Sequence, residues 1–205
     1  MSKNLSNRIL IAFLLMPIVF FSIYEGNIFF KTILICTFVL GVYEIFKLKI
    51  FFTKICLIFL LLLFLFTVFH IRISNDGIKN LYYIIVLTWL SDIGGYIFGK
   101  ILGGKKINII SPNKTYSGFL GSLIFSQFSL IFVFYYNIFP NFNLTFKLLI
   151  TSFLCIVVIM GDLFFSYIKR LNKIKDYSNF FPGHGGLFDR VDGLIFAVII
   201  FYMYI

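Results

Sequence analysis

The chain alternates long apolar stretches with short polar ones, and the apolar stretches are close to the length of a helix that crosses a bilayer. A hydrocarbon core about 30 Å thick takes roughly 20 residues of helix. Windows of this kind fall at 9–24, 28–46, 55–71, 81–98, 119–139, 146–168 and 187–205. The pattern predicts an all-α polytopic membrane protein of about seven transmembrane helices. Lys3 and Arg8 precede the first window and no small-residue cleavage site follows it, so this segment is expected to be a retained helix and not a removed signal peptide. No fixed-period repeat or low-complexity linker breaks the series. Residues 1–205 are therefore expected to form one integral membrane domain, with the spans in 9–71 less specific and the functional half in 81–205.

Composition excludes a soluble globule: 60% of residues are hydrophobic and only 13% charged, where a soluble domain carries about 25% charged residues. Cys36, Cys56 and Cys155 all lie inside apolar stretches without metal-ligand spacing, and read as small hydrophobes. The net charge of +10 is explained by its distribution. With a cytoplasmic N-terminus, the outside segments hold only Lys31, Arg72, Lys79 and Lys147, and the other Lys and Arg residues fall inside, as the positive-inside rule favours. The charge is topology, and no nucleic-acid partner is expected. The two longest polar interruptions, 99–118 and 169–186, then both face the cytoplasm, and chemistry is expected there.

Asp92 sits inside the fourth window, where a carboxylate costs several kcal/mol unless it finds a partner. Asp92, Gly95, Tyr96 and Gly99 share one helical face, so the glycines allow another helix or a ligand to approach the carboxylate. Gly99, Gly104 and Lys105 have P-loop spacing. Lys106, however, stands where the magnesium-holding Ser or Thr belongs, and the preceding segment is a membrane helix and not a strand, so a P-loop is rejected. The loop continues through Ser111-Pro112-Asn113-Lys114-Thr115-Tyr116-Ser117-Gly118, which can offer Lys114, Thr115 and a helix N-terminus to phosphate oxygens. An ordinary basic loop is the alternative.

The densest signal runs from Gly161-Asp162 through Ser166, Lys169-Arg170 and Lys175-Asp176 to Pro182-Gly183-His184-Gly185-Gly186-Leu187-Phe188-Asp189-Arg190-Val191-Asp192. Asp162, Ser166 and Lys169 stack on one helical face, and Asp189 and Asp192 are three apart. Too few residues follow Gly193 to cross a bilayer, so the last helix is expected to start before Asp189. Converging carboxylates suit magnesium, which takes one or two of them together with substrate phosphates. Ion pairing with Arg170 and Arg190 is the structural alternative. His184 fits either a general base or a loop-packing donor, and Gly183, Gly185 and Gly186 fit close backbone approach.

Together these blocks resemble the phosphatidate cytidylyltransferase (CDP-diglyceride synthetase) family. The ordered set Ser, Lys-Arg, Lys-Asp, Pro-Gly-His-Gly-Gly and Asp-Arg-x-Asp is matched from Ser166 to Asp192, and the Asp92 to Thr115 block looks like the family's upstream motif. The resemblance implies magnesium-dependent transfer of a cytidylyl group from CTP to phosphatidate, giving CDP-diacylglycerol and pyrophosphate at the cytoplasmic face of the cell membrane. It implies Asp162, Asp189 and Asp192 as metal ligands, with a second cation left open. Lys169, Arg170, Arg190 and His184 are expected in the catalytic set. Asp92, Lys114, Thr115, Ser166, Lys175, Gly185 and Gly186 are expected to bind substrate. The partners are CTP, phosphatidate and the bilayer, with a homodimer left open. Two positions depart from the family: Phe165 and Ser117 stand where acidic residues are usual. The rival readings are a CTP-dependent lipid-alcohol kinase, a transporter with Asp92 and Asp162 along a pore, and an inactive homologue.

Overall fold

The computed structural model describes residues 15–106, 114–180 and 185–204. Within them the chain forms α1 (Leu15–Glu25), α2 (Asn27–Phe46), α3 (Phe51–Ile73), α4 (Gly77–Ile101), α5 (Tyr116–Ser126), α6 (Leu130–Tyr135), α7 (Leu144–Leu171) and α8 (Phe188–Tyr202). The described residues contain no strand, only an isolated antiparallel bridge between Lys106 and Thr115. The fold is all-α and polytopic, as the hydropathy pattern predicts.

Among the described residues five segments are long and apolar enough to cross a membrane: α2, α3, α4, the run Tyr116–Tyr135 and α7. The described part of the first window is shorter, and α8 has 15 residues. A helix of that length is about 22 Å long, below the thickness of the hydrocarbon core. Five long spans are thus present among the described residues, together with two shorter apolar helices, and the expected count of seven is not reached by spans of full length. The fifth window is not one regular helix, because a 3-10 turn at Gln127–Ser129 separates α5 from α6. The Ser126 and Ser129 hydroxyls donate back to the Leu123 and Ser126 carbonyls at 2.9 and 2.7 Å, a habit that bends helices.

The core lies where α4, α7 and α8 meet α3, and includes Tyr83, Ile84 and Leu87 of α4, Leu154 and Val158 of α7, and Ile195, Val198 and Phe201 of α8. The outer faces of α2 and α3 instead expose Ile28, Phe29, Phe46, Phe52 and Phe59, as a lipid-facing surface does.

Two glycine-lined crossings bring the polar motifs together. Where α4 meets α5, a side chain at Gly118 would place its Cβ 2.9 Å from the Gly95 carbonyl oxygen, and one at Gly121 would come within 2.6 Å of the Gly94 carbonyl. Where α7 meets α8, Gly161 would meet the Asp192 carbonyl at 3.0 Å and Gly193 the Val158 carbonyl at 2.9 Å. Gly161 and Gly193 each sit next to a carboxylate in sequence, and Gly118 closes the cationic turn. Close backbone packing thus fixes Asp92, Asp162 and Asp192 on adjoining helices.

Candidate active site

A cavity of about 190 Å³ opens between α4, α7 and the start of α5. Its walls carry Ser91, Asp92, Gly95 and Tyr96 from α4, Lys114, Thr115 and Gly118 from the start of α5, and Asp162 from α7. The upstream motif and the downstream signature, 70 residues apart between Asp92 and Asp162, thus share one chamber. Lys114 forms an ion pair with Asp162 Oδ2, and both side chains are partly buried. Ser166, one turn after Asp162, directs its hydroxyl toward Oδ1 at 3.4 Å. Lys114 and Arg190 lie within electrostatic reach of Asp92, and Asp162 within reach of both Asp92 and Asp192.

Thr115 caps α5: its hydroxyl accepts from the Gly118 N–H at 3.1 Å and bonds the Ser117 hydroxyl at 2.9 Å. The Ser117 hydroxyl in turn donates to the Gly103 carbonyl oxygen, and the Tyr116 N–H to the Lys105 carbonyl at 3.1 Å. These bonds tie the end of α4 to the start of α5 and hold Lys114 at the rim. Ser117, one of the two departures from the resemblance, serves this tie. The other, Phe165, is fully buried among Phe164, Tyr177, Phe188 and Phe196, so it is core.

Asp189 lies in the first turn of α8, which begins at Phe188, in line with the expectation from length. Its Oδ1 accepts from Lys169 Nζ at 2.7 Å, and its Oδ2 accepts the N–H groups of Tyr177 and Gly186, each at 2.9 Å. The carboxylate therefore links α7, the following loop and α8. Gly185 has φ +81°, a conformation open to glycine, and a Cβ there would press on Asp189. The Tyr177 hydroxyl donates to the Phe165 carbonyl at 3.2 Å. Burial first, and the Asp189 carboxylate next, push its pKa upward, so it stays protonated.

Of the expected residues, Asp92, Lys114, Thr115 and Asp162 line the cavity, Ser166 bonds Asp162, and Arg190 and Asp192 lie within electrostatic reach of Asp92 and Asp162 respectively. Lys169, Gly185, Gly186 and Asp189 form a second cluster around the start of α8. Arg170 and Lys175 are exposed at the end of α7 and in the loop after it. His184 lies outside the described residues, as do Ser111, Pro112 and Asn113.

Two residues of this neighbourhood escape sequence reasoning. Glu44, buried near the end of α2, accepts from Ser178 Oγ at 2.7 Å, the Leu187 N–H at 2.6 Å and the Phe188 N–H at 3.0 Å. A Cβ on Gly186 would collide with this carboxylate, which accounts for that glycine. Asn172, the C-cap of α7, accepts the N–H groups of Lys49 and Ile50 at 3.0 Å each and exchanges hydrogen bonds with Thr53. The one available signal was the presence of Glu44 among only 8 carboxylates in the chain, at the end of an apolar window.

All the acidic ligand candidates offer hard oxygen donors. Among the described residues no three His, Cys, Asp or Glu side chains gather closely enough to cage a metal. That donor set fits magnesium, which is held by one or two carboxylates and completes its shell with phosphate and water. It does not fit a closed structural site.

These features define a helical membrane protein whose carboxylates and lysines converge at one end of the bundle, a chemistry suited to handling phosphates. The chain belongs to the cytidylyltransferase family, which matches residues 48–205. It is similar to the phosphatidate cytidylyltransferase of Staphylococcus haemolyticus, 41% identical over 125 residues, which is 60% of this chain and 48% of the relative. The protein of the same name from Staphylococcus aureus is 36% identical over 132 residues, 64% of this chain and 50% of the relative. That from Staphylococcus saprophyticus is 40% identical over 127 residues, 60% and 48% of the two chains. The chain spans about half the length of the curated relatives it matches.

Proposed function

We propose that the protein transfers the cytidylyl group of CTP to phosphatidate at the cytoplasmic face of the cell membrane. The observation that carries this reading is the single cavity shared by Asp92, Lys114 and Thr115 of the upstream motif and Asp162 of the downstream one. The phosphatidate-named relatives and the family match support the choice of substrates. Orientation rests on the Lys and Arg distribution, which puts this end of the bundle inside.

In the reaction an oxygen of phosphatidate's phosphomonoester attacks the α-phosphorus of CTP, the bond to the β-phosphate oxygen breaks, and pyrophosphate leaves. Such a monoester has its second pKa near about 6 and is largely ionised at neutrality, so no strong general base is required. The difficulty is bringing two polyanions together. Lys114 stands at the cavity and Lys169 in the cluster at the start of α8, each held by a carboxylate, Asp162 and Asp189. Both are placed to exchange that partner for phosphate oxygens, with Arg170, Arg190 and Lys175 extending the basic rim. One or two of Asp162, Asp189 and Asp192 would hold magnesium, whose charge would offset that of the phosphates. Positioning and electrostatics then supply the rate.

CTP labelled at the α- or the γ-phosphate tests the reading with purified protein and phosphatidate. The α-label is expected in the lipid and the γ-label in pyrophosphate. A γ-label in the lipid product would identify a kinase.

A further inference from the structure

The proposed reaction uses residues from α4 onward, yet the least solvent-accessible carboxylate bonded to the signature loop comes from α2. Glu44 is 1% exposed, and its three hydrogen-bond donors all belong to the segment that leads into Asp189 and Asp192. Two of those donors, the Leu187 and Phe188 N–H groups, are at the start of α8, where N–H groups lack helical partners. Its N-cap residue, Leu187, supplies no side-chain cap. Glu44 supplies that cap from 143 residues away in the chain, with a charge that suits a helix N-terminus. Gly186 leaves the room for it. Asn172 joins the following turn, at Lys49 and Ile50, to the end of α7, so both helices of the signature are held by the same α2–α3 corner.

We infer that Glu44 is a positioning residue for cytidylyl transfer, setting the register of the first turn of α8 and through it Asp189 and its partner Lys169. The inference rests on the proposed reaction. Glu44 lies before residue 48, where the family match begins. A glutamine in its place keeps the size but turns an N–H₂ group toward a backbone N–H, so one of the three bonds becomes a repulsion. Misplacement of reacting groups by about 1 Å costs on the order of a hundredfold in rate.

The test measures steady-state kinetics of wild type, Glu44→Gln and Ser178→Ala in detergent, with thermal melting and hydrogen exchange of the 185–190 backbone. Glu44→Gln is expected to lower kcat about 30- to 100-fold, to leave KM for phosphatidate near wild type because Glu44 does not line the cavity, and to speed exchange at Leu187 and Phe188. Ser178→Ala, which removes one donor of three, is expected to lower kcat less. Wild-type kcat in a folded Glu44→Gln protein with fast exchange at Leu187 overturns the positioning role while leaving the reaction in place. Should Glu44→Gln fail to fold, Ser178→Ala decides: an unchanged kcat overturns the role, and a lower kcat at unchanged KM and melting temperature supports it. A folded wild type that forms no CDP-diacylglycerol overturns the reaction and the inference with it.

Discussion

The α1–α3 region and the α4–α8 region are built from the same apolar vocabulary but packed by different rules. In α2 and α3 large side chains face outward along most of the length, and the contact at Gly41 is made by the Leu61 methyls, 2.7 and 3.1 Å from where a Cβ would stand. In α4–α8 the crossings are glycine against backbone carbonyl. Side-chain contacts yield by rotamer change, whereas backbone contacts cannot. The rigid region is the one that carries the cavity, and besides the apolar packing of α3 on α4 and α8 it is joined to the yielding region by two long-range polar links, Glu44 of α2 to the start of α8 and Asn172 of α7 to the α2–α3 turn.

The difference between the regions sets the order of expected effects. Asp162→Asn should cost the most, at least about a hundredfold in turnover with melting unchanged, since it removes a charge from the cavity wall. Conversion of CTP and phosphatidate to CDP-diacylglycerol measures it. Next, the same substitution should separate the two crossings. Gly121→Ala meets the Gly94 carbonyl and the Cβ of Phe98, and should destabilise by about 1–3 kcal/mol in detergent melting while lowering activity. Gly41→Ala meets only the movable end of Leu61 and should cost much less. Equal losses at the two sites would break the contrast. Thr115→Ala removes the α5 cap and should cost about 1 kcal/mol. Lys105→Ala should be nearly silent in the turnover assay, because the exposed side chain is dispensable and only its carbonyl accepts from Tyr116.

Much of this was legible in the sequence, because the signals are local. Hydropathy placed α2, α3, α4 and α7 to within about four residues at each end, an error of the usual size for boundaries. The face of Asp92, Gly95 and Gly99 predicted a close approach, and α5 makes it. The break at Gln127–Ser129 was hidden because its cause is serine hydroxyls bonding back to the chain inside a window that remains apolar on average. Glu44 and Asn172 were hidden for another reason: their partners lie 143 and 123 residues away, and no local pattern encodes such a pairing. Asp189 was legible as a carboxylate at a helix start. Its hold on Lys169, Tyr177 and Gly186 was not, since that depends on how the loop folds back.

The central claim is that the two motif blocks make one site for joining a nucleotide to a lipid phosphate. The most direct measurement is the stoichiometry of products from purified protein in detergent with CTP and magnesium, with and without phosphatidate. Pyrophosphate and CDP-diacylglycerol are expected in equal amounts, and neither without phosphatidate. Release of CDP in place of pyrophosphate, or no turnover by folded protein, would contradict it.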